Sequence, residues 1–174
     1  MIIRKAETSE YEKLRDFYWQ LIDDMQNALY SPQWKKDIYP SSGDLLEAVN
    51  NGEAFIADDN GRIAAAMRLN SIPVEDYRRV QWGLKADDSE VLYVHLLGVG
   101  TEYQRKSLGK QMVSSAVELA RSRGLKALRL DVIAGNLPAF RLYESMGFIS
   151  AGNMQLYYED TGLADFSLFE YPLS

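Results

Sequence analysis

The stretch VGTEYQRKSLGKQM, Val99–Met112, lies between the apolar run VLYVHLLGV and a long amphipathic segment. It gathers Arg105, Lys106 and Lys110 around the small residues Ser107 and Gly109, in a chain whose net charge is −6. The start of a helix carries unpaired N–H groups and a partial positive charge. Residues 104–109 would wrap such a start, small side chains would let a ligand reach the backbone, and the cations would favour a pyrophosphate. A solvated basic helix start with no ligand accounts for the same residues equally well. Two familiar phosphate loops are excluded. A dinucleotide fingerprint beginning at Gly98 needs glycine where Tyr103 stands, and a P-loop ending at Gly109-Lys110 needs glycine at Gln104 and a hydroxyl residue at Gln111.

Outward from this stretch the pattern alternates between strand and helix. A helix is expected from about Leu108 to Arg123, stopped by Gly124. VLYVHLLGV before it reads as a central strand and KALRLDVI after it as another. NLPAFRLYESM follows as a helix, and GFISAGNMQLYYE and ADFSLFEYPL as a strand pair around DTG. Towards the N-terminus, MIIRKA reads as a first strand. From Thr8 the residues Tyr11, Leu14, Phe17, Tyr18, Leu21, Ile22, Met25 and Leu29 form one apolar helical face, with Thr8 or Ser9 as its cap. An aromatic loop, YSPQWKKDIYPSSGD, leads to a short helix in GDLLEAVNNG. EAFIADDNGRIAAAMRLNSI then reads as a hairpin turning on Asn60-Gly61. Residues 73–90 are polar and take no assignment. This order predicts an α/β chain with a mixed sheet flanked by helices, two strand–helix–strand crossovers in its second half, and a single domain over 1–174.

With 174 residues, 47% hydrophobic and 25% charged, the chain can bury a core and has an ordinary globular composition. No apolar run approaches the roughly 20 residues that span a bilayer. MIIRKAETSEYEKL turns polar too early for a secretory leader. No membrane partner and a cytoplasmic location are therefore expected, and the lack of cysteine fits a reducing compartment. Without cysteine there is no disulfide, thiolate metal ligand or cysteine nucleophile. His95 is the sole histidine, which excludes a multi-histidine zinc site, and no metal is expected. The negative charge argues against a nucleic-acid partner and leans towards a cationic small molecule or peptide.

The segment NLPAFRLYESMGF carries a second signal. Ala139, Leu142 and Met146 fall on one helical stripe suited to the sheet, while Asn136, Phe140 and Tyr143 fall on another. Asn136 can cap this helix, and Pro138 is harmless in its first turn. An amide, an aromatic ring and a phenol at the C-terminal end of a strand stand where open α/β sheets place ligands.

Taken together, LGVGTEYQRKSLGK and NLPAFRLYESMGF, joined by a helix and the strand LRLDV, resemble the GNAT superfamily of CoA-dependent N-acyltransferases. The resemblance is best from about 91 to 150, and the element order agrees over nearly the whole chain. The family's cofactor loop, Gln/Arg-x-x-Gly-x-Gly/Ala, is met here by Gln104-Arg105-Lys106-Ser107-Leu108-Gly109, with Ser107 in place of the first glycine. The resemblance implies a mostly antiparallel central sheet and acetyl-CoA as co-substrate. It also implies transfer of the acetyl group to a primary amine of a small molecule or peptide, by direct attack in a ternary complex. Pyrophosphate would be held by Gln104, Arg105, Lys106, Ser107, Leu108, Gly109 and Lys110, and the pantetheine by the backbone of Leu97 and Val99, with Gly98 suited to a bulge there. Asn136, Phe140 and Tyr143 would line the thioester end. Tyr143 would act as general acid and the Leu97 N–H as oxyanion donor.

For the base, His95 is placed by strand alternation on one face with Tyr93 and Leu97, and its class of pKa suits the task. A histidine packed in the sheet, removal of the proton through water, and Glu90 at the strand entrance remain alternatives. Trp34, Tyr39, Tyr77, Trp82 and Tyr93 are expected to wall the acceptor, although each also reads as core cover. A homodimer through the last strands is common in the family. Two other readings stand: a catalytically silent acyl-CoA-binding or sensor module on the same fold, and an interaction module without cofactor. A serine hydrolase is disfavoured, because no Gly-x-Ser-x-Gly is present.

Overall fold

In the computed structural model of the chain, which describes residues 1–173, Asn60 and Gly61 take φ of 53° and 90°. That is the backbone a two-residue hairpin turn requires. They join β2 (Ala54–Asp59) to β3 (Arg62–Asn70). The remaining strands are β1 (Ile2–Lys5), β4 (Val91–Val99), β5 (Ala127–Ile133), β6 (Ile149–Tyr158) and β7 (Gly162–Pro172). One seven-stranded sheet runs in the order β1-β2-β3-β4-β5-β7-β6. Every neighbouring pair is antiparallel except β4–β5, so the sheet is mixed and mostly antiparallel. The crossover from β4 to β5 is direct. The one from β5 to β6 skips a place, because β7 inserts between them.

Four helices, α1 (Tyr11–Met25), α2 (Ser42–Asn50), α3 (Leu108–Ser122) and α4 (Leu137–Ser145), cover the sheet. α3 buries Leu108, Met112, Val113, Ala116, Val117 and Ala120, a stripe at helical spacing. It shares a core with Phe55 and Ala57 of β2 and with α4, whereas Ala54 and Ile56 pack with α1 and α2. Because successive strand residues point to opposite faces, the two helix pairs cover opposite sides of the sheet. α1 is entered through Glu7, whose capping box with Glu10 takes the place expected for Thr8 or Ser9. The helix ends at Met25, which leaves Leu29 85% exposed instead of on the apolar face.

Two irregularities in the middle of the sheet create the site. First, the parallel β4–β5 ladder has only three registered pairs, Val91↔Ala127 to Tyr93↔Arg129, and beyond them the strands diverge. Second, β4 bulges against β3. Arg68 faces His95 and Ala66 faces Gly98, so Leu96 and Leu97 together oppose Met67. Leu96 adopts φ 56°, and the buried Tyr18 hydroxyl of α1 donates to its carbonyl at 2.7 Å. The bulge is thus at Leu96, not at Gly98 as the sequence suggested. Gly98 answers a packing need, since a Cβ there would lie 2.6 Å from Leu21 Cδ2 and 3.2 Å from the Trp34 ring. The extra residue also shifts every later side chain to the opposite face. Leu97 and Val99 join the α3 core with Leu92 and Val94, while Tyr93 and His95 stack together elsewhere, so the expected common face of Tyr93, His95 and Leu97 does not form.

The unassigned polar segment forms two short 3₁₀ turns, Glu75–Arg79 and Asp88–Glu90. It is tied down by a buried ion pair, Arg129–Glu170 at 2.8 Å. Glu170 accepts the Leu84 N–H, Arg129 donates to the Leu84 carbonyl, and Trp82 lies on the guanidinium at 4.6 Å. Among the described residues no helix is long and apolar enough to cross a membrane.

Candidate active site

At the end of β4, beyond its pairing with β5, a groove of ≈ 850 Å³ opens between the starts of α3 and α4 and the end of α1. Leu97, Gly98 and Val99 form its floor, and Asn136, Leu142 and Tyr143 of α4 line one wall. At its outer end stand Gln104, Arg105, Ser107, Leu108, Gly109 and Lys110. Arg105 and Ser107 both take left-handed backbone, with φ of 61° and 62°. Such a conformation turns successive N–H groups to one side. Among the described residues no backbone N–H from Arg105 to Lys110 finds a backbone or side-chain acceptor, and α3 has no side-chain cap. Gly109 allows α3 to start close to α4, since a Cβ would sit 3.3 Å from Leu142. Two expected cofactor residues stand apart from the groove. Lys106 lies over the Tyr103 ring, and Phe140 packs edge-on against Phe169 in the core at 5.0 Å.

Asn136 occupies the N-cap position of α4 without making the cap hydrogen bond, so the expected capping is not observed. Its side chain lines both the groove and a second, inner cavity of ≈ 90 Å³. The two spaces share Trp34, Leu97, Asn136 and Tyr143 as common wall. Tyr143 is 6% exposed, burial raises its pKa, and its hydroxyl makes no hydrogen bond to the described residues. At neutral pH it is a phenol with a proton to give.

Deeper in the cavity stands Asp131 of β5, a residue the sequence reading did not single out. The hydroxyls of Tyr77 and Tyr158 both donate to its Oδ2, Tyr77 at 2.6 Å. Burial raises the Asp131 pKa, and the two phenols oppose that shift. Its Oδ1 accepts from no donor among the described residues. Because no sealed-off side-chain oxygen lacks a partner among the described residues, Oδ1 is open to the cavity. The result is a carboxylate held on one oxygen and free on the other. A signal for it existed: Arg129 and Asp131 are two charged residues at alternate positions of an otherwise apolar strand. Their partners, 27 to 54 positions away, could not be read from it.

His95 also lines the cavity, with Nε2 3.0 Å from Asn70 Oδ1. Burial, helped by the nearby Arg68, pushes its pKa down to about 4. It is neutral at pH 7 and too weakly basic to suit the task expected of it. Of the expected acceptor walls, Trp34, Tyr39 and Tyr77 line the cavity. Trp82 does not, because it covers Arg129, and neither does Tyr93, which is 1% exposed and donates to Asp88 at 2.9 Å. Glu90 is drawn away to Lys126 at 2.8 Å. No cluster of three or more metal-ligating side chains forms among the described residues.

Residues 15–148 match the model of the Acetyltransferase (GNAT) family. A [Ribosomal protein bS18]-alanine N-acetyltransferase of Escherichia coli is 35% identical over 79 residues, 45% of this chain and 53% of the relative. A Mycothiol acetyltransferase of Acidothermus cellulolyticus is 44% identical over 55 residues, 32% of this chain and 17% of the relative. The chain thus spans about half the length of the ribosomal-protein enzymes it matches. Among solved structures, a GNAT-family acetyltransferase of Listeria monocytogenes superposes with a TM-score of 0.77 at 23% identity, over 99% of this chain and 94% of the other. The yncA protein of Salmonella typhimurium, solved with acetyl-CoA, gives 0.72 at 17% identity over 100% and 94%. With the family model matched over most of its length, the chain belongs to the GNAT acetyltransferase family.

Proposed function

We propose that the chain is an acetyl-CoA-dependent N-acetyltransferase that acylates a primary amine by direct attack in a ternary complex. One observation carries this reading: the groove that begins at the unpaired amides of Arg105–Lys110 ends at a cavity holding a free carboxylate oxygen and a protonated phenol. The groove suits the cofactor on its own terms. Its outer end offers a row of donors with Arg105 and Lys110 beside them, chemistry that fits a pyrophosphate, and Trp34, Leu97 and Tyr143 line its inner end. Bound acetyl-CoA would supply an activated acetyl thioester.

The protein's own groups then divide the work. Oδ1 of Asp131 receives the ammonium as an ion pair and takes its proton, which an amine of unperturbed pKa near 10 must lose before it can attack. Tyr77 and Tyr158, donating to Oδ2, keep the free oxygen aimed into the cavity. Leu97, on the wall common to groove and cavity, offers its N–H to the carbonyl oxygen. Tyr143, on the same wall, gives its proton to the departing thiolate. His95 contributes as a neutral, hydrogen-bonded wall.

Thiol release from acetyl-CoA, followed over a panel of primary amines and N-terminal peptides, tests the reading. Acceptor-dependent release with at least one amine is expected. Tight cofactor binding without release on any acceptor would favour the silent sensor module, and no binding at all would overturn both.

A further inference from the structure

The inner cavity holds a second carboxylate that amine activation does not use. Asp160, in the turn between β6 and β7, is 5% exposed and lines the same space as Asp131. Its Oδ1 accepts the Thr161 N–H at 2.8 Å, while Oδ2 accepts nothing from the described residues and is not sealed off. Among the described residues no lysine or arginine lines the cavity. Lys35 acts on Asp160 from outside that wall, and Arg68 is paired with Glu53 at 2.7 Å. The other walls include the rings of Trp34, Tyr39, Tyr77 and Tyr158, which offer π faces to a cation.

Two carboxylates, Asp131 partly and Asp160 almost wholly buried, with one ammonium between them leave one charge uncompensated, a costly arrangement where access to water is restricted. Given the acetyltransfer reading, on which this rests, we infer that the acceptor is an amine carrying a second positive charge. Its reacting ammonium sits at Asp131 and the other cation at Asp160. A peptide beginning with alanine, the acceptor named for several relatives, brings one charge at its reacting end.

The test compares 1,4-diaminobutane with butylamine by calorimetry on the full chain with CoA present. Binding at least tenfold tighter for the diamine is expected, and Asp160→Asn should bring the diamine down to the monoamine's level. Should that variant fold poorly, Asp160→Ser keeps an acceptor for the Thr161 N–H and serves the same purpose. Equal binding of the two amines by the unaltered protein, or a diamine preference that survives both substitutions, overturns the inference. Thiol release in parallel separates the two proposals. Preferential binding without release leaves the dication site at Asp131 and Asp160 standing and sinks acetyltransfer. Turnover of an alanine-headed peptide but not of the diamine does the reverse.

Discussion

Asp131→Asn keeps the volume of the side chain and an oxygen to which Tyr77 and Tyr158 can both donate. What it removes is the negative charge and the basic oxygen facing the cavity. A positioned general base contributes typically about 10²–10⁴ in rate, equivalent to about 3–5 kcal/mol of barrier, and a loss in that range is expected in kcat/KM. Stability should move the other way. Burial raises the folded pKa of Asp131 above its usual 3.8, so this carboxylate weakens the fold as pH rises through its folded pKa. Replacing it with a neutral isostere should therefore leave the melting temperature at pH 7 unchanged or raised. Thiol-release kinetics and thermal unfolding on the same preparation read both quantities. A loss of activity below tenfold in a folded variant would refute the assignment, and a parallel fall in melting temperature would mark Asp131 as structural instead.

Tyr143→Phe removes a hydroxyl without a protein partner, so kcat should fall by about 10²-fold or more while calorimetry finds acetyl-CoA affinity and stability nearly intact. His95 ties stability to pH: its folded pKa of about 4 lies below the unfolded 6.5, so the unfolded chain binds the extra proton between those values. Its effect is nil above pH 6.5 and grows as pH falls, to about 3 kcal/mol lost near pH 4. Urea unfolding should show a shallower acid decline for His95→Gln than for the unaltered protein. Arg129→Met strands the buried Glu170, whose side chain is 4% exposed, and should cost about 3–5 kcal/mol in the same assay. Adding Glu170→Leu should recover much of that loss.

The elements were legible because their signals are local. The α3 stripe repeats every three or four residues, Asn60-Gly61 announces its hairpin, and Gly124 takes φ 68° just past α3. The β4 bulge was not, because nothing in VLYVHLLGV marks Leu96 as the residue that turns left-handed. Glycine is the natural candidate for such a turn, yet Gly98 serves the approach of Leu21 and Trp34. That single residue decides the facing of Leu97 and separates it from His95. The ionisable side of the site was hidden for another reason. Asp131 is defined by phenols 54 and 27 positions away, and only the folded chain shows that they share one oxygen. Trp34, Tyr39 and Tyr77 were chosen as aromatic walls and line the cavity, whereas Trp82 and Tyr93 are held by Arg129 and Asp88.

In the proposed reaction, unpaired amides at the head of α3 fix a cofactor whose thioester then meets the inner cavity. A crystal structure of the protein with acetyl-CoA tests this most directly. Pyrophosphate oxygens are predicted within hydrogen-bond distance of the N–H groups of Arg105–Lys110, with the thioester sulfur beside the Tyr143 hydroxyl and the carbonyl carbon facing Asp131. A cofactor bound with its phosphates away from these amides, or with its thioester outside the wall formed by Leu97, Asn136 and Tyr143, would contradict it.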